Sequence, residues 1–268
     1  MEFITIFLAS LMGLVSPMGA IADQVVETSI RNQLYDAEEL VVRFDNTPNY
    51  RYLQGQIDQV RIAGRGLYPT EGVRIAVAEL ETDAIAVDPN QLRQGNLDLE
   101  RPLSGGVRLV LTEADVNQAL RSPEVVQQLR DFGFSFAATS VQAAERYEIR
   151  DPQVNFTDEG RIQVQMNLQE QNRADDIRIL LDTGVAIVAG RQLQLIDPVM
   201  QVNDQPVPEV LINLLVNTVL QGSDLRRLES RGITARLLQW EVEDEQLAIA
   251  AFIHVNPEAI NAEDESEN

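Results

Sequence analysis

The sequence predicts an α+β fold dominated by antiparallel strands, on three observations. Short runs alternate apolar with polar residues between turn residues, which is the period-two signature of strands with one wet face. Two stretches, residues 21–39 and 207–222, replace that rhythm with helical spacing. No internal repeat, long linker or compositional step divides the body, so residues 23–255 read as one domain. At 268 residues and 44% hydrophobic, the chain is long enough to bury a sizeable core.

Residues 3–22, FITIFLASLMGLVSPMGAIA, carry no charge over a length that suffices to cross a bilayer core of about 30 Å. Ala20-Ile21-Ala22 fits a small-x-small cleavage site, although only Glu2 stands where a basic leader belongs. Residues 1–22 therefore read as a signal peptide or a retained membrane anchor, with a buried first helix as the alternative. Ile21, Val25, Val26, Ile30 and Leu34 then form one stripe of an amphipathic helix running to Glu39.

Strand signals follow at Leu40, Val42 and Phe44, at Val60-Arg61-Ile62, and over residues 72–87, where a bulge or a change of exposure is expected near Leu80. Gly64-Arg65-Gly66 resembles the start of a dinucleotide fingerprint, but no helix follows it, so it reads as a tight turn between strands. Val107, Leu109 and Leu111 make another strand. Thr112-Glu113-Ala114-Asp115 then supplies an N-cap signature for a helix through Leu120 that resumes to Arg130.

Ile162, Val164, Met166 and Leu168 alternate strictly with Arg161, Gln163, Gln165 and Asn167, and Asp158-Glu159-Gly160 is the hairpin turn that precedes them. Runs at 177–181, 185–187 and 193–195 extend an antiparallel meander, with turns expected at Asp182-Thr183-Gly184 and Gly190-Arg191. The helix VPEVLINLLVNTVLQG interrupts it. Its positions 210–220 are apolar except for Asn213, Asn217 and Thr218, so it is either a fully covered core helix or one whose side faces a hydrophobic cavity. Strands at 234–240 and 246–255 close the body, and residues 256–268 form an acidic tail that reads as disordered.

Composition removes most chemistries. Cys and Lys are absent and His occurs once, at His254, which leaves no thiol nucleophile, thiolate metal site, Schiff base or P-loop lysine. A net charge of −21 repels nucleic acid, so no nucleic-acid partner is expected. No calcium-loop pattern, nucleophile elbow or marked carboxylate pair appears. The expectation from the residues is no dedicated metal, no cofactor and no marked catalytic residue.

Four segments resemble the LmeA-type family of bacterial phospholipid-binding proteins. They are Val25-Val26-Glu27-Thr28-Ser29-Ile30; the stretch from Leu53 to Leu67, LQGQIDQVRIAGRGL; Gly72-Val73-Arg74-Ile75 leading into Leu80-Glu81-Thr82-Asp83; and Leu111-Thr112-Glu113-Ala114-Asp115-Val116-Asn117. The resemblance implies an α+β architecture similar to tubular lipid-binding domains, elongated, with a curved, mostly antiparallel sheet wrapping one or two long helices. It also implies a non-catalytic protein of the cell envelope, extracytoplasmic or periplasmic, anchored or secreted, that holds phospholipid or glycolipid chains in an apolar groove and meets the membrane through its N-terminal segment. Leu211, Leu214, Leu215 and Val219, with Ile162, Val164, Met166 and Leu168 facing them, are the expected lining. From other classes come a structural or adaptor protein acting through the sheet edge and acidic tail, with its protein partner unknown, and a hydrolase built around His254.

Overall fold

In the computed structural model the described residues are 30–32, 34–45, 56–86, 99–122, 125–127, 147–170 and 176–257. The N-terminal apolar segment and the acidic end of the tail lie outside them. Among the described residues no helix is long and apolar enough to cross a membrane.

Two antiparallel sheets carry the fold. The first is built from β1 (Asp36–Asp45), β3 (Gln59–Thr70), β4 (Val73–Thr82), β6 (Leu103–Thr112), β12 (Ile233–Glu243) and β13 (Gln246–Val255), in the order β1-β3-β4-β6-β13-β12. The second contains β7 (Tyr147–Phe156), β8 (Ile162–Glu170), β9 (Asp176–Val188), β10 (Gln192–Val202) and the two-residue β11 (Gln205–Pro206), in the order β11-β10-β9-β8-β7. Two-residue strands β2 (Gln56–Ile57) and β5 (Ile85–Ala86) pair with each other. Helix α1 (Glu113–Ala119) follows β6, and α2 (Glu209–Gly222) with the 3-10 turn Leu225–Arg231 follows β11.

The expectation of one or two long helices wrapped by a curved sheet is corrected here. Strand makes up 63% of the described residues and helix 19%, and the helices are short. The physical reason lies in where α2 packs: its 14 residues span about 21 Å and lie along β10, so the sheet does not enclose it.

Several local expectations also shift. Residues 36–39 open β1 instead of ending a helix, because Ala37, Leu40 and Val42 are buried against β3; residues 21–29 lie outside the described residues. Gly64-Arg65-Gly66 is neither fingerprint nor turn but the middle of β3. A Cβ at Gly64 would stand 2.6 Å from the Leu67 side chain, and Gly66, at φ +55°, leaves room for the Glu38 carboxylate. The irregular register sits on β3 between Leu67 and Thr70, while near Leu80 it is the exposure that changes, β4 passing from half-buried residues to an alternation of buried and exposed ones from Ala78 onward. Asp182-Thr183-Gly184 is continuous strand within β9, whereas Gly190 does occupy a turn, at φ +66°.

The buried core centres on the first sheet, with Leu40, Val42, Val60, Ile62, Leu67 and Leu80 packed around Ile30 and Ile57. A second cluster joins the sheets: Phe156 of β7 meets Val242 and Leu247 of the first sheet, with Val154, Ile162, Val116, Leu111, Trp240 and Ile249 around them.

Helix α1 ties this joint with polar contacts. Thr112 Oγ1 accepts the Asp115 N–H at 3.1 Å and caps the helix as the sequence predicts. Buried Asp115 accepts from Arg74 of β4 at 3.0 Å. On the opposite side Asn117 pairs with the free edge of β7, donating to the Val154 carbonyl at 2.7 Å and accepting its N–H at 2.8 Å, while Glu113 accepts the Phe156 N–H at 2.8 Å. Asn117→Ala removes two bonds at the sheet-to-sheet joint and is expected to cost about 2 kcal/mol in urea denaturation. Phe156→Ala, which empties a side chain 6% exposed, is expected to cost about 3–5 kcal/mol by the same measurement.

Candidate functional site

Cross-strand register assembles the sequence-predicted residues of β8 into one surface. Paired residues share a face of an antiparallel sheet, so each residue of β8 fixes a row. Ile149, Leu168 and Ile177 form one row. Met166, Ile179 and Val202 form the next, and Val154, Val164, Leu181 and Met200 a third. Phe156, Ile162 and Thr183 close the series at the joint with the first sheet.

Two bulges keep these rows aligned. β7 carries an extra residue between Arg150 and Gln153, and β10 one between Ile196 and Val199. Each bulge is an Asp-Pro pair whose Asp has positive φ, Asp151 at 48° and Asp197 at 45°. A proline has no N–H for the ladder, so it is tolerated where a bulge already breaks the pairing. Without the extra residue in β10, Met200 and Val202 would fall on the opposite face.

The paired residues of these four rows are apolar apart from Thr183, and ionisable groups stand at their margins: Glu170, paired with Tyr147, follows Leu168 on the same face, and Asp151 and Asp197 lie in the bulges opposite Met166 and Thr183. Ile162, Val164, Met166, Leu168, Ile179, Leu181, Met200 and Val202 are all half-buried, in contrast with the buried core of the first sheet. From β7 to β10 it spans about 14 Å, and from Ile162 to Leu168 about 20 Å. The hydrocarbon half-thickness of a bilayer is about 15 Å, so one acyl chain fits that length. Thr183, the hydroxyl in the series, is buried and donates to the Gly184 carbonyl at 2.8 Å. The opposite face mixes polar and aliphatic residues: Asp182, clamped by Arg161 and by Gln163, the latter at 2.7 Å, is paired with exposed Val199, and Leu180 lies between Gln165 and Gln201.

Helix α2 runs antiparallel to β10, whose outer edge is paired with β11 only at Gln201 and Val202. At one end the Val207 N–H donates to the Met200 carbonyl at 2.9 Å. At the other, Ser223 Oγ accepts the Leu193 N–H at 2.9 Å, Gln192 donates to Asp224 at 3.0 Å, and the Leu225 N–H donates to the Arg191 carbonyl at 3.0 Å. Ile212, Val216, Val219 and Leu220 make the half-buried side of the helix. Leu211 and Leu214 are more than half exposed, and the Leu215 side chain lies outside the described residues. β8 is two strands from β10, about 10 Å across the sheet, so α2 has β10 as its packing partner in front of the Ile162 to Leu168 row.

Sequence reasoning missed Ile179, Leu181, Met200 and Val202. The signal was present in the alternation of β9 and in its resumption after Pro198, but the turn-forming residues 182–184 and 197–198 masked it. Trp240 was missed as well. It packs in the cluster at the foot of the aliphatic face, and its buried Nε1–H has no acceptor among the described residues.

His254 has a partner that the sequence did not indicate. Its Nδ1 lies 3.0 Å from Ser104 Oγ, its cross-strand neighbour, and Asp83 accepts the Ser104 backbone N–H at 2.9 Å. A hydrolytic triad needs the carboxylate on the second imidazole nitrogen, so this arrangement is a cross-strand contact between two interior strands of the first sheet. Among the described residues no group of three His, Asp or Glu is placed to hold a metal ion.

The family model for LmeA-like phospholipid-binding proteins matches residues 15–252. The chain belongs to this family. No curated protein and no solved structure matches it. Membership in the LmeA-like family agrees with the resemblance carried by residues 25–117, and the match extends over the second sheet and α2. The family is a phospholipid-binding one, so lipid is the class of partner for this chain.

The Asp224 contacts that fix the end of α2 respond to acid. Hydrogen bonds from the Arg226 guanidinium, then from its backbone N–H, hold the Asp224 carboxyl down at about 2. A carboxyl lowered in the folded state adds stability above its unfolded value of about 3.9 and loses it as pH falls through the folded value. The difference in melting temperature between wild type and Asp224→Asn is therefore expected to be constant above pH 5 and to shrink from pH 4 towards pH 2, read by scanning calorimetry.

Proposed function

We propose that the protein binds the acyl chains of a phospholipid or glycolipid, without catalysing a reaction, on the half-buried aliphatic face of β7 to β10. The observation that carries this reading is the alignment of four strands' aliphatic side chains into rows whose paired residues include no ionisable group. Ile162, Val164, Met166 and Leu168 are the centre of the site, Ile179, Leu181, Met200 and Val202 its continuation, and Val219 its border on α2.

Hydrocarbon binding needs apolar contact area and no activated group. Each methylene withdrawn from water contributes about 0.8 kcal/mol, so ten of them contribute about 8 kcal/mol. That is the free energy of a complex with a dissociation constant of about 1 μM. Residues 3–22 support a location at the cell envelope, outside the cytoplasm, with the protein anchored or secreted. In that setting the site serves to carry, transfer or present its lipid.

Native mass spectrometry of the full chain purified from membranes in mild detergent, followed by organic extraction, tests the reading. Stoichiometric phospholipid or glycolipid is the expected result, and a clean apo mass after lipid challenge overturns it in favour of an adaptor. Met166→Asp and Ile179→Asp, each checked for native circular dichroism, place an unpaired carboxylate on the face and are expected to lower bound lipid at least about tenfold. Undiminished lipid on both folded variants moves the site elsewhere.

A further inference from the structure

We propose that the outward stripe of α2, formed by Val210, Leu211 and Leu214, is the surface by which the protein docks on a bilayer of zwitterionic phospholipid. The inference rests on the lipid-binding reading above and gives α2 a role distinct from holding the cargo.

Val210, Leu211 and Leu214 are 78%, 55% and 53% exposed and stand within little more than one turn of one another. Single exposed apolar residues are common on any protein surface, but three on one side of one helix form a patch. Charge identifies what the patch fits. Residues 210–223 contain no charged side chain in a chain that is 24% charged, and their polar members Asn213, Asn217, Thr218, Gln221 and Ser223 are all neutral.

Interfacial helices that bind anionic membranes carry Lys and Arg beside their apolar face, and this one carries neither. The net charge of −21 repels an anionic surface, so a neutral headgroup layer is the one that this helix can enter. Position completes the case. α2 lies along β10, which contributes Met200 and Val202 to the aliphatic face, and the exposed stripe sits at the Met200 end of the helix. A phospholipid resides in a bilayer, and docking through this stripe brings that end of the face to the place where the lipid is.

Absence of cysteine permits a direct test in the full chain. Leu214→Cys is labelled with an environment-sensitive fluorophore. Leu238→Cys serves as the control, because Leu238 is 66% exposed on β12 beside the Gly190 turn, about 25 Å away along β10. On phosphatidylcholine vesicles the label at 214 is expected to shift to the blue and the label at 238 to stay unchanged, whether or not residues 3–22 anchor the chain. Adding Val210→Gln and Leu211→Gln is expected to reduce the shift at least twofold, and anionic lipid at low salt to reduce it in the parent.

No shift at 214, or equal shifts at both positions, overturns docking. A shift at 214 produced by monomeric short-chain phosphatidylcholine without vesicles overturns it by placing Leu214 in the cargo site, and one that appears on raising protein concentration alone overturns it in favour of a second copy. Binding of the short-chain lipid, read by native mass spectrometry, tests the lipid-binding reading separately, so failure of either is recognised without the other.

Discussion

Residues 111–117 form one joint between the two sheets, which meet again where the Leu237 N–H of β12 donates to the Gly190 carbonyl at 2.7 Å, and the placement of the aliphatic face depends on this pair of joints. Arg74 reaches α1 from β4 and bonds buried Asp115, and the same guanidinium donates to Glu38 of β1 at 2.9 Å. The Arg74 contact holds the Glu38 carboxyl below its ordinary value, and the two acids together push the guanidinium further up. With α1 fixed to the first sheet, Glu113 and Asn117 offer β7 the acceptors and donors of a missing neighbour strand. The second sheet is thereby joined at the β7 edge, with its apolar foot, Phe156 and Ile162, against Val242 and Leu247.

A sheet with two free edges invites pairing with other chains, and here β7 meets α1 while the outer side of β10 meets β11 at one end and the C-cap of α2 at the other. Asn117 of α1 satisfies Val154 on β7, and Ser223 satisfies Leu193 on β10. Because the helices lie at the edges, the aliphatic rows between them stay half-buried, while equivalent side chains in the first sheet are buried. The edge helices and the aliphatic face are thus two sides of one arrangement: a helix laid across the middle rows would give a closed core.

Local chemistry made part of this legible in the sequence. The Thr112 cap, the β7–β8 hairpin, the β8 strand and the helix after Val207 all follow from short-range rules, and the structure has each of them, although both faces of β8, Gln165 apart, are half-buried where the alternation predicts one wet face. Long-range contacts decided the rest. Asp182-Thr183-Gly184 has the composition of a turn, but Arg161 and Gln163 neutralise and bond Asp182 from β8, and the segment stays extended. Gly64 and Gly66 look like a turn until the Leu67 and Glu38 side chains that occupy their missing Cβ positions are placed. The continuation of the site onto Met200 and Val202 was hidden by Asp197-Pro198, since a one-residue bulge reverses the parity by which a face is read.

The apolar character of α2 was plain from its sequence, but its orientation was not. A helix that only shields a strand edge needs one apolar stripe, and Ile212, Val216, Val219 and Leu220 supply it. Solvent-facing positions of such a helix ordinarily carry Lys, Arg, Glu or Asp, which favour the helix and keep the surface soluble. This chain places charged residues freely elsewhere, on both faces of the Arg74 joint and on the face of the second sheet that carries Asp182. At Val210, Leu211 and Leu214 it places three aliphatic side chains in water instead, at a cost that edge protection does not require. A nonpolar surface met at that end of β10 removes the cost, and it connects the outer stripe of the helix to the aliphatic face that the same strand carries.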